Sequence, residues 1–315
     1  MKKYLAKRFL IAIPVLLMVT FFCFLIMNLA PGDPTDLYVT DTSTPEQIEM
    51  TREKLGLNQP VLIRYYKWLI NTLQGDLGFS FTSRMAVTEI MPSKILATIQ
   101  LLFVTLILSY GIGIPLGILS ARKQNSFLDY SITGFSFLGI SIPNFFLGLA
   151  LIYIFSLKLK ILPSGGMITL GSGGGVIDRL SHIIMPALVL SVTYSSNMQR
   201  YVRSAVIDVY NENYIRTAKS KGLSSFDILC KHGLKNTLVP IITVISTDIP
   251  KLIGGAVVTE QIFQWPGIGL LTVSSIASRD YPVLMAINLI AALAVLLFNF
   301  IADILYAVVD PRIRY

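Results

Sequence analysis

Asn213-Tyr-Ile-Arg-Thr-Ala-Lys-Ser-Lys-Gly222-Leu-Ser-Ser-Phe-Asp227 is a polar, basic stretch set between two apolar segments of a chain that is otherwise mostly hydrophobic. It runs on through Lys231-His-Gly-Leu-Lys-Asn236 to Pro240. Residues 211–221 contain neither proline nor glycine, so they can form about three turns of helix. Asn211 or Asn213 can cap the start. Gly222 suits the left-handed position that closes a helix. Ser224-Ser-Phe-Asp227 has the S-x-x-D form of a capping box, so a second helix is expected to begin there. Helix, glycine elbow and helix then lead into the apolar segment that starts at Leu238. A short rod held crosswise to membrane spans can transmit a push from a separate protein. The plainer alternative is a basic loop that is solvated or touches anionic lipid.

The rest of the chain says what this stretch is embedded in. Of 315 residues, 53% are hydrophobic and 14% are charged. A soluble domain carries about 25% charged residues, so most of this chain belongs in lipid. The net charge of +8 is not gathered on one soluble module, which argues against a nucleic-acid partner. Cys23 and Cys230 fall at different depths, so no disulfide is expected. His182 and His232 are far apart in sequence. No metal site and no catalytic nucleophile–base pair is expected from such residues.

Crossing roughly 30 Å of hydrocarbon takes about 20 apolar residues. Phe9–Leu29 qualifies without a charge, and it is too long for a signal-peptide core. Ile95–Ser120, Tyr130–Leu157 and Val283–Tyr306 are three more spans. Leu238–Val258 is another, interrupted by Asp248, Pro250 and Lys251. His182–Asn197 is the weakest, short and broken near its start by Pro186. The expectation is an all-α polytopic membrane protein with six transmembrane helices. Most of the 26 Lys and Arg residues sit in the N-terminus, at Arg122 and Lys123, between Arg200 and Lys235, and at Arg312 and Arg314. The positive-inside rule makes that side, with both termini, cytoplasmic.

This divides the chain into a cytoplasmic N-terminus and first span (1–29), an extracytoplasmic helical cap (30–94) and a five-span core (95–315) that includes a cytoplasmic loop (198–237). In the cap, Thr44 followed by Pro45, Glu46 and Gln47 reads as a capped helix start. Tyr65, Trp68 and Leu69 have helical spacing. Two readings of the cap stand together: an amphipathic layer on the membrane surface, or a lid that meets a soluble partner.

Arg216-Thr-Ala-Lys-Ser-Lys-Gly222 resembles the EAA loop of ABC importer permeases, the coupling helix that inserts into an ATPase subunit. Ala218 and Gly222 match the third and seventh positions. Arg216 and Thr217 stand where the general pattern has Glu and Ala. The usual I-x-L-P ending falls on His232 to Lys235, with the proline delayed to Pro240. That variant is similar to the peptide and nickel branch of the family. Along the chain, Ala-Pro-Gly-Asp-Pro34, Gly-Asp-Leu-Gly78 with Ser80, Ser-Ile-Pro143, Leu-Pro-Ser-Gly-Gly166, His-Ile-Ile-Met-Pro186, Glu260-Gln-Ile-Phe with Trp-Pro-Gly-Ile-Gly269, Asp-Tyr-Pro282 and Asp-Pro-Arg312 resemble the B-type permease of dipeptide, oligopeptide and nickel importers.

The resemblance implies a type I ABC importer permease fold in a bacterial inner membrane. It implies a second homologous permease, two ATPase subunits holding ATP and Mg, and an extracytoplasmic substrate-binding protein. Consistently, the chain has no G-x-x-x-x-G-K-[ST] phosphate loop, and it is not expected to be an enzyme by itself or to hold a cofactor. ATPase coupling falls to Tyr214, Ile215, Arg216, Thr217, Ala218, Lys219, Lys221, Gly222 and Leu223. The cargo implied is a di- or oligopeptide, with nickel–chelator or glutathione-like ligands as the alternative. From the residues alone an ion-gradient secondary transporter also stands, using Asp248, Lys251 or Asp303. Ionisable groups inside a span face an interior or a cavity. Asp248 and Lys251, at i, i+3, can therefore form a structural ion pair beside Pro250 or, with Asn144, line a translocation path. Asp303 reads as an anchor at the inner end of the last span. Gly113 and Gly117 form a G-x-x-x-G that favours close helix packing.

Overall fold

The computed structural model describes residues 2–29, 35, 44–54, 56–171, 173–224, 227–228 and 234–309. Expectations for Ala30–Pro34, for Cys230, His232 and most of the second helix after Ser224, and for Asp310–Arg314 fall outside these residues. The described chain is helical almost throughout. Its elements are α1 (Lys2–Leu29), α2 (Pro45–Lys54), α3 (Val61–Leu73), α4 (Val87–Arg122), α5 (Phe127–Ser141), α6 (Asn144–Leu151), α7 (Val176–Tyr210), α8 (Asn213–Ser220), α9 (Leu234–Ile262), α10 (Ile268–Ala277) and α11 (Tyr281–Val309).

Helices α1, α4, α7 and α11 are each long and apolar enough to cross a membrane. Counting each of two bent pairs as one broken span brings the number to six. Helix α5 continues past a break into α6 and a π-helical extension, Ile152–Lys158, at 99°, and the two halves of α9 meet at 52°. The expected span Tyr130–Leu157 is thus broken rather than continuous. Pro143 forces Ile142 out of the helical region, to φ −79° and ψ 121°, and the ladder ends there. The expected short span at His182–Asn197 is the middle of a 35-residue helix. Pro186 lies inside α7 without ending it, because α7 is packed on by α4, α5 and α9. The bend in α9 falls between Leu252 and Gly254, just beyond Pro250.

Helix packing follows small residues. The most extensive helix–helix contact is between α4 and α7. A Cβ on Gly113 would lie 2.7 Å from the Ser195 carbonyl oxygen, and one on Gly117 would lie 2.7 Å from the Val202 Cβ. The G-x-x-x-G is therefore a contact surface for α7, and Gly139 of α5 meets Ser196 of the same helix in the same way. At the opposite edge, Arg8 Nε lies 3.0 Å from Asp303 Oδ2. This pair ties the start of α1 to the end of α11.

The cap is built from local signals. Thr44 N–H donates to Gln47 Oε1 at 3.0 Å and Gln47 N–H to Thr44 Oγ1 at 3.3 Å, a reciprocal capping box that opens α2. Helix α3 packs on α1 through aromatic edges: Tyr65 meets Phe21 at 5.2 Å and Phe24 at 5.7 Å between centroids. The loop after α3 is pinned to the start of α11, where Asp280 accepts from Ser80 Oγ, from Phe81 N–H at 3.0 Å and from Thr82 N–H at 3.3 Å.

Candidate coupling rod and polar path

The basic stretch is a discrete helix. Helix α7 runs to Tyr210, turns at Asn211 and Glu212, and restarts as α8 at Asn213. Asn211 closes α7 rather than capping α8: its N–H donates to Ile207 and Asp208 carbonyls at 3.2 Å each. The rod is amphipathic on a small scale. Ile215 and Ala218 are buried against Ile228 and the flank of Val209, while Tyr214, Arg216, Thr217 and Lys221 are exposed. Lys219 lies on the same helix. Gly222 adopts φ +79°, and Leu223 N–H reaches back to the Ala218 carbonyl at 3.4 Å, so the helix ends on a left-handed glycine cap. A Cβ at Gly222 would meet nothing, so its constraint is conformational rather than steric. Beyond it, Asp227 N–H donates to Ser224 Oγ at 3.1 Å, the geometry of the expected cap.

A second polar assembly lies one element away. Arg203 of α7 grips Asp129 of α5 with Nε to Oδ1 and Nη2 to Oδ2, both at 2.7 Å. Asp129 is 1% exposed and also accepts from Ser120 Oγ at the end of α4 and from Asn125 N–H at 3.0 Å. One carboxylate thereby locks three spans together about three turns before the rod begins. Nothing in the local sequence of Asp129 or Arg203 signals a partner 74 residues away.

The expected path residues are only partly brought together. Lys251 Nζ lies 3.9 Å from Asp248 Oδ1, with the lysine side chain 68% exposed and the aspartate 8%. The aspartate lies near Tyr110 of α4 and Tyr194 of α7, and its Oδ2 is buried with no hydrogen-bond partner among the described residues. The Tyr110 hydroxyl is likewise buried without a partner among the described residues. Asn144 is separate: its Oδ1 accepts from Thr193 Oγ1 at 3.1 Å, tying the start of α6 to α7. On the outer face of α9, Thr247, Lys251, Gly254 and Val258 are exposed at i, i+4, i+7 and i+11, one continuous stripe.

Comparison with known proteins now bears on this arrangement. Residues 113–315 match the sequence family described as binding-protein-dependent transport system inner membrane component, and residues 1–102 match its N-terminal companion. The chain belongs to this permease family. It is 46% identical over 316 residues to the oligopeptide transport system permease protein AppB of Bacillus subtilis, with all of both chains covered. It is 38% identical over 315 residues to the glutathione transport system permease protein GsiC of Salmonella typhimurium, again with all of both covered. Among solved structures, a chain of the MetNI methionine ABC transporter in an inward-facing crystal form matches at 17% identity with TM-score 0.58. It covers 70% of this chain and 96% of that one, and shows the fold alone. The protein is thus a multi-pass inner-membrane permease of an ABC importer.

The permease signature Glu260…Trp-Pro-Gly-Ile-Gly269 acquires a physical role in this frame. Glu260 is fully buried at the end of α9. It accepts from Thr98 Oγ1 of α4 at 2.7 Å and from the N–H groups of Gly269 and Leu270 at 2.7 and 3.1 Å, at the start of α10. Thr98 Oγ1 in turn accepts from Ile268 N–H at 2.8 Å, and Trp265 Nε1–H donates to the Ala97 carbonyl at 2.8 Å. Gly267 and Gly269 are required because a Cβ at either would strike the carboxylate or the α9 backbone. The motif was legible in the sequence as a string. Its partner on α4, 162 residues away, was not.

Proposed function

We propose that this permease is one half of the membrane channel of an ATP-driven peptide importer, with α8 as the rod gripped by the ATPase. A second homologous permease completes the path, two ATPase subunits carry ATP and Mg, and an extracytoplasmic binding protein delivers the cargo. Both termini and α8 face the cytoplasm. The observation that carries this reading is α8 itself: a stiff helix, anchored on one face by Ile215 and Ala218 and exposed on the other, stopped by Gly222 at φ +79°. A relative 46% identical carries an oligopeptide permease name, which supports peptides. The glutathione permease, at 38%, supports glutathione-like ligands as the second reading, with nickel chelates as the further variant of the same machinery. Membership of the permease family favours this engine over an ion gradient.

ATP closes the ATPase pair, α8 is displaced, and α7 and α9 on either side of it change the opening of the path. The nucleotide acts through its different affinity for the two states. The stripe Thr247, Lys251, Gly254 and Val258 faces the second permease across the route, with Asp248 behind it and Asn144 supporting α6. The test is Gly222→Val in the assembled transporter reconstituted in vesicles. A branched residue forced to positive φ distorts the elbow, so ATP hydrolysis should persist while peptide uptake falls at least tenfold. Uptake that stays coupled to hydrolysis at the wild-type ratio refutes the assignment.

A further inference from the structure

A cleft of about 510 Å³ opens between α1, α3 and the start of α11, and nothing in the transport reading uses it. Its floor is apolar, including Phe24, Met285 and Pro282. Its rim carries Arg64, Lys67 and Asn71, with Trp68 alongside. Arg64 donates to Asn28 Oδ1 at 2.6 Å and lies 5.8 Å over the Phe24 ring. Both partners are neutral, and neither Arg64 nor Lys67 pairs with a carboxylate among the described residues. Asp76 also lines the cleft, with Oδ1 accepting from Gly78 N–H at 2.8 Å.

Depth decides what such a cleft meets. The apolar spans of α1 and α11 run over Arg8–Leu29 and Tyr281–Ile304, so the Arg8–Asp303 pair stands at one end of both. Counted from it at 1.5 Å per residue, Phe24 lies about 24 Å up α1 and Met285 about 27 Å up α11. Two independent helices place the floor just inside the far edge of a layer about 30 Å thick. Helix α3 shares that depth: Tyr65 Oη donates to the Leu17 carbonyl at 3.1 Å, well down α1. Its outer face, with Leu62, Ile63, Tyr66 and Leu73, is exposed and apolar, continuous with exposed Phe22 and Ile26 of α1. An apolar floor at acyl-chain depth, a cationic rim at headgroup depth and a tryptophan between them match the layers of a lipid leaflet.

We infer that this cleft binds an anionic phospholipid of the leaflet on the cap side. The phosphate is held by Arg64 and Lys67, and an acyl chain lies along Phe24 and Met285. Helix α3 then sits in that leaflet rather than above it, which resolves the two readings of the cap toward the membrane.

The experiment uses the full chain in vesicles containing phosphatidylglycerol or phosphatidylcholine with dibrominated acyl chains, and reads tryptophan quenching. Trp68 borders the cleft, whereas Trp265 is buried in the core, and a Trp68→Phe control isolates the signal. Half-maximal quenching of Trp68 should occur at a mole fraction of brominated phosphatidylglycerol about 25-fold lower than of phosphatidylcholine, two cations at about fivefold each. Lys67→Gln, which removes an exposed side chain, should shrink that preference about fivefold, the effect of one cation near an anionic surface. Arg64→Gln should remove more, and if it fails to fold Lys67→Gln still carries the test. Equal half-points for the two lipids overturn the inference. So does displacement of the brominated lipid by millimolar glycerol phosphate alone, or a Trp68 that neither lipid quenches but that shifts when peptide-loaded binding protein is added.

Discussion

Replacing Arg203 with methionine strips the counter-charge from a carboxylate that is almost wholly enclosed. Asp129 keeps Ser120 Oγ and Asn125 N–H but loses both guanidinium bonds. Hydrogen bonds to charged groups contribute roughly 1.5–3 kcal/mol each, so two of them set a range of about 3–6 kcal/mol. The Arg203 side chain is 27% exposed, so water can enter where it leaves. The low end applies, about 3 kcal/mol, which agrees with the cost of stripping one partner from a buried pair. That is about a 150-fold fall in the folded-to-unfolded ratio, and a drop of about 6–12 °C in the midpoint by the scaling for chains of about 150–250 residues. The assay heats the detergent-solubilised chain and follows its monodisperse fraction by size-exclusion chromatography. Asp129→Asn on the Arg203→Met background should recover about half the loss, because it removes the orphaned charge. If Arg203→Met shifts the midpoint by less than about 2 °C, or if the two substitutions simply add, then Asp129 does not depend on Arg203 and the three-span lock is wrong.

Two further substitutions test the frame around the rod. Gly117→Ala puts a methyl 2.7 Å from the Val202 Cβ. It should cost about 1–3 kcal/mol through overpacking and lower the midpoint, whereas Gly111→Ala, with open space around it, should leave it unchanged. Glu260→Ala leaves the N–H groups of Gly269 and Leu270 and the Thr98 hydroxyl without their acceptor. At about 1–3 kcal/mol for each unsatisfied buried group, the yield of folded chain from membranes should collapse, and recovery at the wild-type level would contradict the latch.

Local signals were readable in the sequence because their physics is local. The Thr44–Gln47 box, the Ser224–Asp227 cap and the stop at Gly222 each satisfy backbone groups within four residues, and all three take the expected geometry. The G-x-x-x-G was readable because small residues at that spacing have one main use in a span. Hydropathy failed where lipid is not the neighbour. Helix α7 looked short because its polar residues face protein, and α10 went unforeseen because ten residues are too few to cross a bilayer. The 99° break had a local cause, Pro143, but an apolar window reads straight through it. Pairings such as Asp129–Arg203 and Glu260–Thr98 join residues 74 and 162 apart in the chain, and no periodicity encodes them.

These pairings also say which parts of the permease can move together. Helix α7 is pressed on α4 at Gly113 and Gly117, on α5 at Gly139, and locked to both by Asp129. Packed interfaces of this kind are not continuously deformable, so α4, α5 and α7 should shift as one body. Helix α9 differs. It is bent between Leu252 and Gly254, and a Cβ at Gly254 would meet nothing; its far half is latched by Glu260 to α4 and α10, while its near half packs on α7 through Ile241 and Val244. Under the proposed coupling, a displacement of α8 would reach a rigid block through α7 and a jointed helix through α9. The joint lies within one turn of Lys251 and about one and a half turns from Asp248, so the polar side chains proposed for the path sit where the two responses would diverge. A change there can open or close a route without unmaking the Glu260 latch or the Asp129 lock.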